Sequence, residues 1–206
     1  MIKEVTDFKR KEIFKHYDEC DNPFLFITVP VEVTNIVNYC HIYKNFYATM
    51  GYFVTKTVNE FDNFKYRAKN KKIYYCDRLK SNYTQMKSNN EIGFFTLPDI
   101  NNYDSYIIKY NEIQNEFMNN SNYECKNDLD EIWLSCEPWL SFTGLVTPYK
   151  KDNTIPQFIW DKYRKVDYKY YVNLMIMVHH GFADGYHIAE FIKKLEENIR
   201  NFTWRV

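Results

Sequence analysis

Three of the five histidines in this 206-residue chain lie within nine residues of one another, beside a carboxylate. They are His179, His180 and His187, and Asp184 lies four residues after the second of them. A neutral imidazole accepts protons near neutral pH, and a nearby carboxylate can hold the turn that carries it. The spacing therefore allows a general base, but taken alone it favours the structural alternative, in which the aspartate caps a helix and the histidine is a hydrogen-bonded core residue.

The adjacent pair His179-His180 follows the most apolar stretch of the chain, residues 170–178, and precedes Gly181. Neighbouring residues of a strand point to opposite faces, so at most one histidine of the pair can enter a given site and the other is structural. A metal site is the weaker interpretation, because no cysteine or carboxylate completes a set of ligands at a suitable spacing. We therefore expect no metal.

The second candidate is Ser135, in the segment 134–143 that joins two predicted strands across a Pro138-Trp139 turn. A serine at this place can be a nucleophile, a hydrogen-bond donor to an oxyanion, or an ordinary strand residue. No Gly-x-Ser-x-Gly motif surrounds it, so the usual hydrolase geometry has no support. Taken alone, the serine is best interpreted as an ordinary strand residue.

The strands and helices that must position these residues alternate irregularly along the chain, with no Gly/Ser-rich linker and no internal repeat. They predict one α/β domain over residues 1–206, an α+β two-layer sandwich in which helices pack on a mixed sheet. The predicted strands are 24–29, 72–76, 83–86, 132–136, 141–146 and 170–178, with Pro30 at a strand end or sheet edge. Three helices are predicted. The first begins at Phe46, and the third begins at about Asp184. The second follows a capping Asp99 and ends in an Asn-rich loop at 119–122.

Composition excludes several classes of protein. The 27 basic and 27 acidic side chains give a net charge of zero, and no basic stripe is present for nucleic-acid binding. No apolar run is long enough for a membrane span, and the N-terminus lacks the apolar core of a signal peptide. The five scattered cysteines, which include Cys125, suggest neither disulfides nor zinc. We expect a soluble protein of the cytoplasm.

Together the two segments resemble the two signatures of chloramphenicol acetyltransferases, His-His-x-x-x-Asp-Gly and Ser-x-x-Pro-Trp. Here they are residues 179–185 and 135–139, in the same order and at a similar separation. The resemblance covers roughly residues 8–201. It includes an N-terminal helix with Phe14-x-x-Tyr17, a first long helix around 43–62, and the start of the last helix at 184–191.

The resemblance implies an acetyl-CoA-dependent O-acetyltransferase that acts on chloramphenicol or a similar hydroxylated small molecule. His180 would be the general base in a ternary complex without an acyl-enzyme, and Ser135 would donate a hydrogen bond to the oxyanion. Asp184 would support the catalytic turn through a salt bridge, and Tyr163 would lie beside the coenzyme channel. The family also implies a homotrimer with active sites at the subunit interfaces.

Three positions depart from the family pattern. Where an arginine usually pairs with the motif aspartate, this chain has Asp18, which would repel Asp184 unless another cation holds it or the N-terminal helix sits differently. Trp133 replaces a common asparagine, and Ile159 replaces a threonine that helps to bind a transition-state water. Losing one such hydrogen bond typically costs about 1–3 kcal/mol.

Two alternatives keep the fold and change the function. One is acylation of a different alcohol or of an amine. The other is a catalytically weak or silent relative that binds ligands or forms trimers. A hydrolase that uses Ser135 as its nucleophile has the least support.

Overall fold

The computed structural model describes residues 1–43, 45–120 and 128–203. A seven-stranded mixed sheet forms its centre, with five helices around it and a small three-stranded sheet beside it. In chain order the elements are β1 (Ile2–Val5), α1 (Lys11–Asp18), β2 (Phe24–Glu32), α2 (Thr34–Tyr43), α3 (Phe46–Val58), β3 (Tyr66–Lys69), β4 (Lys72–Cys76), β5 (Lys80–Met86), β6 (Ile92–Leu97), α4 (Tyr103–Asn119), β7 (Glu131–Glu137), β8 (Gln157–Asp161), β9 (Arg164–Val166), β10 (Lys169–His179) and α5 (Gly185–Arg200).

The strand order of the large sheet is β2-β10-β8-β7-β5-β6, and β9 pairs with the start of β10. The β5–β7 and β7–β8 pairs are parallel, while the other pairs are antiparallel. The small sheet has the order β1-β4-β3. The predicted mixed sheet with packed helices is therefore confirmed.

Strand β10 lies inside the sheet, and it confirms the strand predicted at 170–178. It pairs with β2 along one side and with β8 and β9 along the other, and residues 172–179 are buried. Burial on both faces explains why this segment is almost continuously apolar. Pro30 lies within β2, at the edge of the sheet, where its missing N–H removes no ladder hydrogen bond.

The two faces of the large sheet are covered differently. Helices α2 to α5 contribute to the main core, which contains side chains such as Val54, Tyr110 and Phe191. The opposite face carries a smaller cluster of Phe24, Ile159, Met175 and Met177, and Phe142 and Leu145 pack against it. The second face therefore has an irregular segment as its cover instead of a helix, and this leaves room for a cavity.

The strand predicted at 141–146 is wrong, since these residues form no regular element. Side chains bind the backbone of Phe142 in place of a neighbouring strand. Its N–H donates to the buried Asp161 carboxylate at 3.4 Å, and its carbonyl accepts from Asn173 Nδ2 at 2.7 Å. Phe142 and Leu145 are partly buried against the sheet face, so the apolar pattern of the segment resembles that of a strand.

The helix predicted after Asp99 exists, but a different residue caps it. Asn102 caps α4 by accepting from the N–H of Ser105 at 2.9 Å, whereas Asp99 binds Arg78 in an ion pair of 2.6 Å. Helix α4 ends at Asn119, as expected. Ser121, Asn122 and Cys125 lie outside the described residues.

The other four cysteines are free thiols. Among the described residues, no helix combines the length and the apolar character that crossing a bilayer requires.

Candidate active site

A tight turn after β10 carries the two central histidines. The amides of Phe182 and Ala183 both donate to the carbonyl of His179, at 2.9 and 3.2 Å, and Asp184 then begins α5. Gly181 is needed here because a Cβ at this position would lie 2.6 Å from the Cα of Phe14. The absence of a side chain lets α1 pack directly against the turn.

His180 lies in a cleft between this turn and α1. Its ring stacks on that of Tyr17, with the centroids 4.0 Å apart and the planes 6° from parallel, and its amide donates to the carbonyl of Pro23 at 2.8 Å. Its Nδ1 is buried, so Nε2 is the nitrogen left to meet a ligand. The cleft has a volume of about 410 Å³ and is also lined by Arg10, Glu12 and Asp184.

His179 points the other way and is part of the core. Its ring stacks on Phe14 at 5.0 Å, and its Nδ1 accepts from the amide of Gly181 at 3.2 Å. Burial lowers the pKa of His179 to about 4, although the Asp18 carboxylate, 3.7 Å from Nε2, opposes that shift. The side chain is therefore neutral at physiological pH and supports the turn.

Asp184 holds the same turn through three groups. It caps α5 by accepting from the amide of Tyr186 at 3.1 Å, and its Oδ1 lies 2.7 Å from Nδ1 of His187. Its Oδ2 accepts from Arg10 at 3.1 Å, and Arg10 Nε also donates to the carbonyl of Gly181 at 3.2 Å. Burial raises the pKa of Asp184, but the bonds from His187 and Arg10 outweigh this effect and lower it overall.

The structure shows which cation holds Asp184 in place of the one expected near Asp18. Arg10, just before α1, supplies the cation that the sequence lacks at position 18, and the Asp18 carboxylate lies 3.7 Å from Nε2 of the neutral His179 instead. Arg10 and Asp184 are 174 residues apart in sequence, and no local pattern indicates the pair. Sequence reasoning therefore missed it.

Ser135 lies in a separate cavity, of about 340 Å³, on the sheet face opposite the main core. Trp133 and Ile159, two of the positions that depart from the family pattern, also line this cavity, together with Thr84 and Phe94. Apolar groups thus flank the serine on β7 itself and on β8. Within the described part of the chain no hydrogen bond is made by the Ser135 hydroxyl, so it is available to a ligand.

A third cavity, of about 320 Å³, lies where the end of β7 approaches α3. Its lining includes Tyr163, Phe46 and Cys136, together with Trp139, which is 67% exposed. Burial raises the pKa of the Cys136 thiol to about 12, so this cysteine is a poor nucleophile. Thr84 of β5 lines both this cavity and the Ser135 cavity.

His180 and Ser135 do not meet within one chain. Ser135 on β7 pairs with Ile159 on β8, and Ile159 pairs with Met175 on β10. Met175 is therefore level with Ser135, two strands away. His180 lies five residues beyond Met175. At about 3.3 Å per residue and 4.8 Å per strand, their Cα atoms are roughly 19 Å apart. No single small acceptor can contact both side chains of the same chain.

His179, His180 and His187 have three different environments. His187 binds Asp184, His179 is enclosed by aromatic rings, and His180 stacks on Tyr17. In the three described ranges, no group of three or more His, Cys, Asp or Glu side chains is placed to hold a metal ion.

Comparison with known proteins places this geometry in a family. The sequence model for chloramphenicol acetyltransferase matches residues 2–196. A chloramphenicol acetyltransferase of Clostridium perfringens is 30% identical over 210 residues, which cover 98% of this chain and 95% of the relative. One of Clostridium butyricum is 28% identical, with coverage of 97% and 94%.

Solved structures agree on the fold. A chloramphenicol acetyltransferase superposes with a TM-score of 0.84 at 23% identity, covering 97% of this chain and all of the other. A probable dihydrolipoamide acetyltransferase of Listeria monocytogenes gives a TM-score of 0.69 at 14% identity, with coverage of 96% and 94%. By the match along nearly its whole length, the chain belongs to the chloramphenicol acetyltransferase family.

Proposed function

We propose that this acyltransferase moves the acetyl group of acetyl-CoA to a hydroxyl of chloramphenicol or of a similar small molecule, with His180 as the general base. The observation that carries the proposal is the placement of His180 at the end of β10. Its ring stacks on Tyr17 and lines the cleft, and its Nδ1 is buried, which leaves Nε2 as the nitrogen for a ligand. A fixed imidazole with one free nitrogen suits proton transfer.

In the proposed reaction, Nε2 of His180 takes the proton of the acceptor hydroxyl as that oxygen attacks the thioester carbon. Ser135 donates a hydrogen bond to the oxygen that becomes negative in the tetrahedral intermediate. The C–S bond then breaks, and His180 returns the proton to the departing sulfur. Both substrates are present together, so no acyl-enzyme forms.

Asp184 would not handle protons in this scheme. Its carboxylate is already bound by the α5 amides, His187 and Arg10, and these contacts fix the turn that carries His180. Its role would be structural support. The same arrangement explains why the chain tolerates Asp18, since the cation comes from before α1.

We further propose a homotrimer in which His180 of one copy faces the Ser135 cavity of the next. The separation of roughly 19 Å within one chain supports this, because a composite site needs a second copy. Each copy would contribute residues 1–206 as a single domain. The coenzyme would enter by the cavity that contains Tyr163, because this cavity and the Ser135 cavity share Thr84 in their linings.

The acceptor need not be chloramphenicol itself. Trp133 and Ile159 make the cavity around Ser135 largely apolar, and Phe94 at its rim is 49% exposed. Such a lining favours a flat or apolar alcohol as much as a polar one. A panel of alcohols and amines, assayed beside chloramphenicol, would identify the preferred acceptor.

The test of the proposal is the release of free CoA from acetyl-CoA in the presence of chloramphenicol. His180→Ala should reduce kcat by at least about 100-fold, since general-base catalysis typically contributes that much. His16→Ala is the matched control, because His16 lines the same cleft and packs against Tyr17 from the side. Equal and easily measured rates for wild type and His180→Ala would refute the assignment.

A further inference from the structure

We infer that the Thr84 hydroxyl is a second hydrogen-bond donor to the oxyanion, acting beside Ser135. The inference rests on the proposed function and adds a catalytic residue to it. Neither the motifs of the sequence nor the resemblance assigns a role to Thr84.

Thr84 and Ser135 are neighbours on the same sheet face. The parallel register of β5 and β7 ends at the pair Tyr83–Leu134, whose side chains are fully buried in the main core. The next residue of each strand is Thr84 and Ser135, and both therefore point to the opposite face. Both line the cavity that is proposed to hold the acceptor.

The backbone at Thr84 is held by a buried group. The hydroxyl of Tyr47 lies 2.7 Å from the carbonyl of Thr84 and 3.1 Å from that of Leu134, and it donates to both at the point where strand pairing stops. Burial raises the pKa of Tyr47, so the phenol keeps its proton and remains a donor. Thr84 is thus fixed at the place where the two strands separate.

Thr84 lies between two cavities. It lines the Ser135 cavity and also the cavity of Tyr163 that is proposed for the coenzyme. The thioester carbon and the acceptor oxygen must meet between these two spaces. A donor at this place can reach the carbonyl oxygen that becomes negative.

The Thr84 hydroxyl is available for this task. In the described residues it makes no hydrogen bond, whereas Thr147 in the same cavity donates to Gln157 at 2.8 Å. On the other side of Ser135, Ile159 offers no polar group. Of the two strands beside β7, the one that places a hydroxyl next to the serine is β5, and Thr84 is the residue in that position.

The test uses Thr84→Val, which removes the hydroxyl with little change in shape, and Thr84→Ser, which keeps it. Thr84→Val should lower kcat roughly 10- to 100-fold, the usual effect of losing one hydrogen bond to a charged group, with KM changed much less. Thr84→Ser should retain most of kcat. Thr28→Val, on the same sheet face three strands from Ser135, is the control.

The double variant Thr84→Val with Ser135→Ala should lose less than the product of the two single effects, because both donors serve one oxygen. Full activity of Thr84→Val beside an impaired Ser135→Ala overturns this inference alone. A wild-type protein that releases no CoA with any acceptor overturns the proposed function and this inference with it. A loss that Thr84→Ser does not restore also contradicts the assignment, since the hydroxyl would then not be the group that matters.

Discussion

At the scale of single residues, two adjacent histidines have opposite environments. His179 is enclosed by Phe14, Phe24 and Phe182, whereas His180 is open on one edge and stacked on Tyr17. The alternation of side chains along a strand separates them, and the turn at Gly181 lets both pack against the region of α1. One imidazole is thereby kept neutral for packing while the other stays accessible for chemistry.

The buried state of His179 predicts an acid-sensitive fold. Its folded pKa of about 4 lies below the ordinary value of 6.5, so only the unfolded chain binds a proton between these values. The free energy of unfolding should therefore fall as the pH drops from about 6.5 towards 4, by up to about 3 kcal/mol. Urea unfolding at several pH values measures it.

His179→Gln is the comparison for that series, because glutamine does not titrate. The variant should show a smaller loss of stability over the same pH range, whatever its stability at neutral pH. Identical pH dependence in the two proteins would show that His179 is not the group responsible.

Replacing Arg10 should affect catalysis more than stability. Arg10→Ala removes two hydrogen bonds from the turn of His180, to Gly181 and to Asp184, and should lower kcat several-fold. The pair is partly exposed, so the free energy of unfolding should fall by only about 1 kcal/mol.

Arg78→Ala is the matched variant for Arg10→Ala, because it breaks the partly exposed pair with Asp99 away from the cleft. It should reduce stability by a similar amount without changing kcat. If both variants lost the same share of activity, the Arg10 effect would be a general loss of stability.

At the scale of elements, the site depends on how closely α1 approaches the turn after β10. Gly181→Ala would place a methyl group 2.6 Å from the backbone of Phe14, and backbone cannot move aside as a side chain can. We expect α1 to shift, with a loss of about 1–3 kcal/mol in stability and a marked fall in kcat. Gly144→Ala, where a Cβ meets nothing within 4 Å, should change neither, and thermal unfolding with the CoA-release assay checks both variants.

The elements differ in how well their sequences reveal them. Strand β10 and helices α3 and α5 could be predicted, because their apolar residues follow a continuous or helical pattern that shows which side of each element is buried. The segment 141–146 was misjudged because its backbone binds side chains of β8 and β10, which the local pattern does not show. Arg10 could not be predicted either, because its partners Gly181 and Asp184 are more than 170 residues away in the sequence.

At the scale of the whole molecule, one chain holds the two halves of the proposed site on different parts of its surface. The His180 cleft and the Ser135 cavity have no lining residue in common. Closed symmetric assembly of identical chains would bring the cleft of one copy to the cavity of the next. The proposed active site is therefore a property of the oligomer.

Complementation between two impaired variants tests this account most directly. His180→Ala and Ser135→Ala proteins are unfolded together and refolded as a mixture, and CoA release with chloramphenicol is measured against each variant refolded alone. In a trimer formed at random from equal amounts, about one quarter of the sites would combine an intact His180 with an intact Ser135. The account predicts activity near a quarter of wild type, well above either parent, and activity no higher than the mean of the two parents would contradict it.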